Sequence, residues 1–196
     1  GLGNVEAQYY SDRSENVRVD GDNLIIEARA ENFSGSAYTS ARLVTRGKAS
    51  WKYGRIEVRA KLPSGEGTWP AIWMLAEDSP YGIWPASGEI DIMEHVGKDH
   101  GRVHATLHME ERYSALGTQP SGSTTPFNVS ENFHVYAVEW SPRVIRFYVD
   151  DDLVEIRAPG APEVGEYVDP GLGYPYWPFD QPFHLLLNIA VGGTWG

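Results

Sequence analysis

The sequence contains no cysteine, so neither a disulfide framework nor thiolate chemistry is open to it, and cysteine usage says nothing about redox compartment. Basic residues are scarce: 16 Lys and Arg stand against 27 Asp and Glu, a net charge of −11. A protein that tracks phosphates needs a basic footprint, so nucleic acid and anionic membrane are excluded as expected partners, while a neutral polymer is not. No apolar run approaches the ~20 residues of a membrane span. Apolar stripes of helical period are nearly absent. The N-terminal Gly1-Leu2-Gly3-Asn4 lacks the pattern of a signal peptide, and a cleaved one leaves no trace.

Aromatic residues are abundant, with 7 Trp, 11 Tyr and 6 Phe among 196 residues. Such rings fill β cores, and they also offer flat apolar faces on which a flat ligand can stack. Period-2 alternation dominates the chain. Ile56, Val58 and Ala60 alternate with Arg55, Glu57, Arg59 and Lys61, which predicts a half-buried antiparallel strand over residues 53–62. Further strands are expected at residues 23–29, 68–76, 88–96, 102–109, 134–140, 144–149, 154–157 and 183–191. Asp150-Asp151-Asp152 predicts a tight hairpin turn between two of them. Residues 111–132 and 159–182 lack regular periodicity, and loops of that length inside a compact domain are usually functional or mobile. The pattern implies an all-β sandwich or barrel in one domain spanning residues 1–196, with no internal repeat.

One stretch carries chemistry: Gly88-Glu89-Ile90-Asp91-Ile92-Met93-Glu94-His95. Strand alternation puts Glu89 and Asp91 on one face and Ile90 and Ile92 on the other. Glu94, five residues after Glu89, falls with the isoleucines unless a β-bulge near Met93 absorbs one residue and returns it to the acidic face. Three carboxylates on one face repel and raise one another's pKa, which folding alone does not reward. A retaining glycosidase uses such a pair, one carboxylate attacking the anomeric carbon and the other protonating the leaving oxygen. Spacing alone also fits a solvated acidic edge or a carboxylate metal site. The apolar Ile90, Ile92 and Met93 argue for a central strand, which has no reason to carry three acids unless they work.

These residues resemble the signature of family-16 glycoside hydrolases in its bulged form. Other segments are similar too: Gly3-Asn4-Val5-Glu6-Ala7-Gln8-Tyr9-Tyr10, Tyr38-Thr39-Ser40-Ala41-Arg42-Leu43, residues 53–63, and Trp69-Pro70-Ala71-Ile72-Trp73-Met74-Leu75 with Trp84-Pro85-Ala86. Trp177-Pro178-Phe179-Asp180-Gln181-Pro182-Phe183 and Asn188-Ile189-Ala190-Val191-Gly192-Gly193 resemble the laminarinase branch. The resemblance implies a concanavalin-like jelly-roll β-sandwich of two bent antiparallel sheets with an open substrate groove. It implies a secreted, monomeric, retaining endo-hydrolase of β-1,3-glucan or mixed-linkage β-glucan, needing no cofactor for catalysis. By position, it makes Glu89 the nucleophile, Glu94 the acid/base and Asp91 their assisting carboxylate; spacing did not assign these roles. The same resemblance points to Asn4, Arg42, Trp69, Trp73, Trp84 and His108 as substrate-binding residues, although each Trp taken alone could equally be core and His108 alone a structural histidine.

The family pattern has further strands before the Gly-Asn segment and after Gly192-Gly193-Thr194-Trp195-Gly196, so the resemblance implies a chain that starts and stops inside the expected fold. The structural calcium common in the family draws on those terminal segments, and its ligands are not assignable here. Rival readings are a non-catalytic β-glucan-binding module on the same sandwich, a hydrolase of agarose or xyloglucan, and a transglycosylase. Fold does not choose among them. The presence of both glutamates favours an enzyme.

Overall fold

The computed structural model of the chain describes residues 4–126, 128–160 and 165–196. Residues 1–3, which include the first glycine of the Gly-Asn motif, lie outside the described residues, as do parts of the two long loops.

Numbered along the chain, six strands form the sheet that carries the acidic run. Their spatial order is β11 (Ser121–Thr124), β10 (Val103–His108), β9 (Glu89–Glu94), β8 (Thr68–Ala76), β16 (Phe183–Val191) and β6 (Arg42–Val44), every neighbour antiparallel. A second antiparallel sheet runs β14 (Asp152–Val154), β13 (Val144–Val149), β12 (His134–Trp140) and β7 (Gly54–Ala60), with β15 (Tyr167–Val168) also paired to β13. A smaller sheet joins β1 (Gln8–Tyr10), β5 (Ser36–Ser40) and β4 (Arg29–Phe33), and β2 (Val17–Asp20) pairs with β3 (Asn23–Ile26). Among the described residues β1 beside β5 is the one parallel pair, a departure from the wholly antiparallel expectation.

The core lies between the two large sheets because alternation points one set of side chains from each into the same layer. Ile72 and Met74 of β8, Ile90 of β9 and Leu107 of β10 meet Tyr136 and Val138 of β12 and Ile145 and Phe147 of β13. Full burial of such side chains stabilises the fold by about 1.5–3 kcal/mol each. The outer face of the second sheet is charged, with Arg55 of β7 paired to Glu139 of β12 at 3.0 Å. No helix among the described residues is long and apolar enough to cross a membrane.

The expected strands at 68–76, 134–140, 144–149 and 183–191 form as read. The expected strand over 23–29 is instead two, β3 and β4, because residues 27–28 leave the ladder. The hairpin turn is narrower than expected: Asp150 and Asp151 take the left-handed conformation, and Asp152 already pairs in β14. Within the first long loop the structure places a single 3-10 turn (Ser114–Leu116) and β11.

Candidate active site

The β-bulge in β9 falls at Ile92, next to Met93 as expected. Against β8 the register runs Ile72 to Met93 and then Trp73 to Asp91, so Ile92 has no partner. Against β10 the register shifts at the same place, from His104–Glu94 to Thr106–Asp91. Ile90, Ile92 and Met93 are all buried in the core. The bulge thus lets two consecutive apolar residues point inward and returns Glu94 to the face that carries Glu89 and Asp91. Gly88 makes the start of the strand possible: its φ is +84°, and a Cβ there would sit 2.9 Å from Pro178 Cγ. At the other end a Cβ on Gly97 would overlap the Gly65 carbonyl at 1.8 Å.

Each glutamate receives an indole N–H. Trp84 Nε1 donates to Glu89 Oε2 at 2.7 Å, and Trp69 Nε1 donates to Glu94 Oε1 at 3.0 Å. Between them Asp91 is buried, with His108 Nε2 3.3 Å from its Oδ2 and its carboxyl within 4.8 Å of that of Glu89. Burial pushes all three carboxyls above their ordinary range. At Glu89 the charge of Asp91 adds to burial, while His108 and the Trp84 N–H oppose it. Asp91 is raised well above its usual value by burial and then by the charge of Glu94. Glu94 is pushed up to about 7, first by burial and then by the charge of Glu89, with Trp69 and His108 pulling it back. A carboxyl that titrates near 7 can both give and take a proton at neutral pH.

A second polar cluster lies across β8, β16 and β6. Trp73 Nε1 donates to Asn188 Oδ1 at 2.7 Å, and Asn188 Nδ2 donates to the Tyr10 hydroxyl at 3.2 Å. The Arg42 guanidinium stands 4.8 Å from the Tyr10 ring centre and 5.1 Å from that of Trp73. Burial pushes the Tyr10 phenol up to about 12, so it stays a neutral donor. Trp73 is the register partner of Asp91, which continues the acidic face into this cluster.

The structure therefore brings Trp69, Trp84 and His108 onto the acids, and Arg42 and Trp73 onto the neighbouring strands. Asn4 is exposed, and its main-chain carbonyl accepts from Thr194 N–H at 3.0 Å; Gly193 packs between that carbonyl and the Trp69 ring. Sequence reading missed four residues: Tyr10, Asn188, Tyr113 and Trp195. The Trp195 ring meets Trp69 edge-on at 5.3 Å and His104 at 5.0 Å, and Tyr113 meets Trp84 edge-on at 5.6 Å. Asn188 was findable, as a buried polar residue inside the apolar run of β16. Tyr113 and Trp195 come from segments without periodicity and gave no such signal.

Among the described residues, Glu89, Asp91 and His108 bring three ligand atoms within 4.8 Å of one another. A calcium ion takes six to eight oxygens, and this set offers two carboxylates, one already accepting from Trp84, and a histidine. The cluster does not suit calcium, and it lies on β9 and β10 rather than on the terminal segments from which the resemblance draws the family's calcium ligands.

A family model described as glycosyl hydrolases family 16 matches residues 5–196. The chain is 57% identical over 199 residues to a beta-glucanase of Rhodothermus marinus, a match spanning 100% of this chain and 68% of that one. It is 39% identical over 205 residues to a glucan endo-1,3-beta-glucosidase of Niallia circulans, spanning 99% of this chain and 29% of the relative. The solved laminarinase from Rhodothermus marinus superposes with a TM-score of 0.91 at 54% identity, covering 100% of this chain and 77% of that one.

Proposed function

The chain belongs to glycosyl hydrolase family 16, and from that premise we propose that it is a retaining endo-hydrolase of β-1,3-glucan, working by double displacement on the outer face of the six-stranded sheet. The observation that carries the reading is the bulged strand β9, which sets Glu89, Asp91 and Glu94 on one face with an indole N–H on each glutamate. The relatives named beta-glucanase, glucan endo-1,3-beta-glucosidase and laminarinase supply the substrate class.

In the first step the Glu89 carboxylate attacks the anomeric carbon and the glycosidic bond breaks. Glu89 must be the anion at that moment, and Asp91, whose carboxyl lies beside it, is the group that can hold the proton. Glu94, protonated below about pH 7, gives its proton to the departing oxygen. In the second step Glu94, now a carboxylate, takes a proton from water, and the resulting attack releases Glu89 with the anomeric configuration kept. Asp91 and His108 hold the charge balance of the pair, and Trp69 and Trp84 fix the two carboxylates in place. Arg42, Trp73, Tyr10 and Asn188 offer rings and donors to the sugars on the far side of β8. The chain acts as a monomer outside the cell, where a polysaccharide is met.

Reducing-sugar release from laminarin, lichenan, agarose and xyloglucan tests the reading. Cleavage of laminarin that disappears in Glu89→Gln supports it. A folded chain that binds laminarin and cleaves none of the four would replace it with a glucan-binding role.

A further inference from the structure

Resting on the glucanase reading, we propose that Tyr81 and Asp180 form a latch that positions Trp84 on Glu89. The segment between β8 and β9, residues 77–88, has no ladder partner and contains Pro80, Gly82, Pro85 and Gly88. Short turn bonds, Gly82 N–H to Ser79 O, Ala86 N–H to Ile83 O and Gly88 N–H to Pro85 O, shape it, and side chains fix it against the rest of the fold. Its inner end is anchored by buried groups: Gln181 Nε2 donates to the Ser87 carbonyl at 3.0 Å, and Ser87 Oγ donates to the Gly82 carbonyl at 2.7 Å. Its outer end is tied to the inner one where the Tyr81 N–H donates to Ser87 Oγ at 3.2 Å, and is tied to the rest of the fold by the Tyr81 side chain. The Tyr81 hydroxyl lies 2.8 Å and 2.9 Å from the two oxygens of Asp180, and its ring stacks on Tyr174 at 4.8 Å with planes 5° apart.

Asp180 and Gln181 thus grip the two ends of the loop from adjacent positions. Trp84 lies between the grips, 47% exposed, and its indole reaches Glu89. Ile83 beside it is 87% exposed, and its side chain holds nothing. A hydrogen bond to a charged acceptor is about twice as strong as a neutral one, so this bond adds to the loop's own Tyr81–Ser87 and Gly82–Ser79 bonds a restraint from outside the loop. Small misplacement of a group at the reacting centre can cost ~10²-fold in rate, which makes a remote restraint matter. Tyr81 is a positioning residue, since it touches neither substrate nor the carboxylates.

The test compares Tyr81→Phe, which keeps the ring stack, and Asp180→Asn, which keeps the shape of the acceptor, in otherwise intact chain. Each should lower kcat/KM on laminarin about three- to tenfold, mostly through kcat, for the loss of one charge-assisted bond. The acid limb of the kcat/KM profile should move to higher pH, because the Trp84 N–H favours the ionised form of Glu89; Asp91, His108 and Glu94, which also face Glu89, are unchanged in both variants. In a Trp84→Phe background Tyr81→Phe should have no further effect, a coupling that a double-mutant cycle reads directly. An equal loss in both backgrounds, or an acid limb that stays in place, overturns the proposal. Should Tyr81→Phe not fold, Asp180→Asn carries the same comparison. If the parent chain releases no sugar from laminarin, the glucanase reading has failed instead. The latch is then judged by Trp84 emission, isolated as the difference between chains with and without that residue: a red shift in Tyr81→Phe supports it, and an unchanged spectrum overturns it.

Discussion

The two ends of β9 present the same arrangement, an indole N–H on a glutamate, but they are built differently. At the Glu94 end the donor Trp69 belongs to β8, whose whole length is paired with β16. Its ring is braced edge-on by Trp195, which His104 braces in turn. At the Glu89 end the donor Trp84 hangs from a loop and is nearly half exposed, supported by Tyr113 and by the Tyr81–Asp180 pair at a distance. One carboxylate is tuned by the sheet, the other by loops. A residue held by a ladder moves only if several hydrogen bonds break together, whereas a loop residue moves when one or two do. On the proposed roles, the proton-transfer group, whose pKa must sit near the working pH, has the rigid partner, and the nucleophile has the adaptable one.

The sharpest way to break this pairing is to remove each carboxylate and offer azide in its place. Glu89→Ala and Glu94→Ala should each lose at least ~10²–10⁴-fold of activity on laminarin. With an aryl glucoside that needs no protonation, Glu94→Ala should recover with azide and yield a glycosyl azide of retained configuration, while Glu89→Ala with azide should yield the inverted one. Product stereochemistry by NMR decides, and the opposite pattern would exchange the two roles.

A smaller effect separates the two indoles. With Glu94 as the proposed acid, the alkaline limb of kcat/KM reports it, and that limb should lie near pH 7. Trp69 N–H favours its charged form, so Trp69→Phe raises its pKa and moves the alkaline limb up, widening the bell. Trp84→Phe raises the pKa of Glu89 and moves the acid limb up, narrowing it. Because the carboxyls titrate together, the limbs belong to the group rather than to single residues, and shifts on the order of half a pH unit are expected. Two variants that move the same limb would show that the ends of β9 are not separately tuned.

The smallest effect is on stability. A carboxyl whose folded pKa is raised contributes stability below its unfolded value, and that contribution is lost as pH rises through the folded value. For Glu94 the window runs from 4.5 to about 7. Glu94→Gln keeps an acceptor for Trp69 and removes the charge, so its gain over the parent should grow through that window and level off above it. Linkage over that window caps the gain at ~3 kcal/mol; because the neighbouring carboxyls share the titration, about 1 kcal/mol, or 2–4 °C in Tm for a chain of this size, is expected by calorimetry at pH 8. A parent chain as stable as the variant at pH 8 would mean that Glu94 is better solvated than its surroundings suggest.

The acidic face was legible in the sequence because strand parity is strict. Once Ile90, Ile92 and Met93 were taken as core, Glu94 could join Glu89 only through a bulge, and the bulge forms next to Met93 as expected. Long strands with clear alternation, such as β8 and β16, were legible for the same reason. The braces were not. Trp195 and Tyr113 reach the site from irregular segments, and the Tyr81–Asp180 bond joins residues 99 apart in sequence. Nothing in local periodicity encodes such meetings; they follow from where the sheets bring loop ends together. The parallel pairing of β1 with β5 was missed likewise, since a three-residue strand is too short to show a period.

The bulge at Ile92 also bears on how spacing should be counted. Without Ile92 the run would read Glu-Ile-Asp-Met-Glu, and the three acids would fall at alternate positions of an unbroken strand, still facing the same way. Two different intervals between the outer glutamates thus encode one surface, provided the number of residues and the number of bulges change together. Distance along the chain is then no invariant of this kind of site. What persists is the evenness of the count once unpaired residues are set aside.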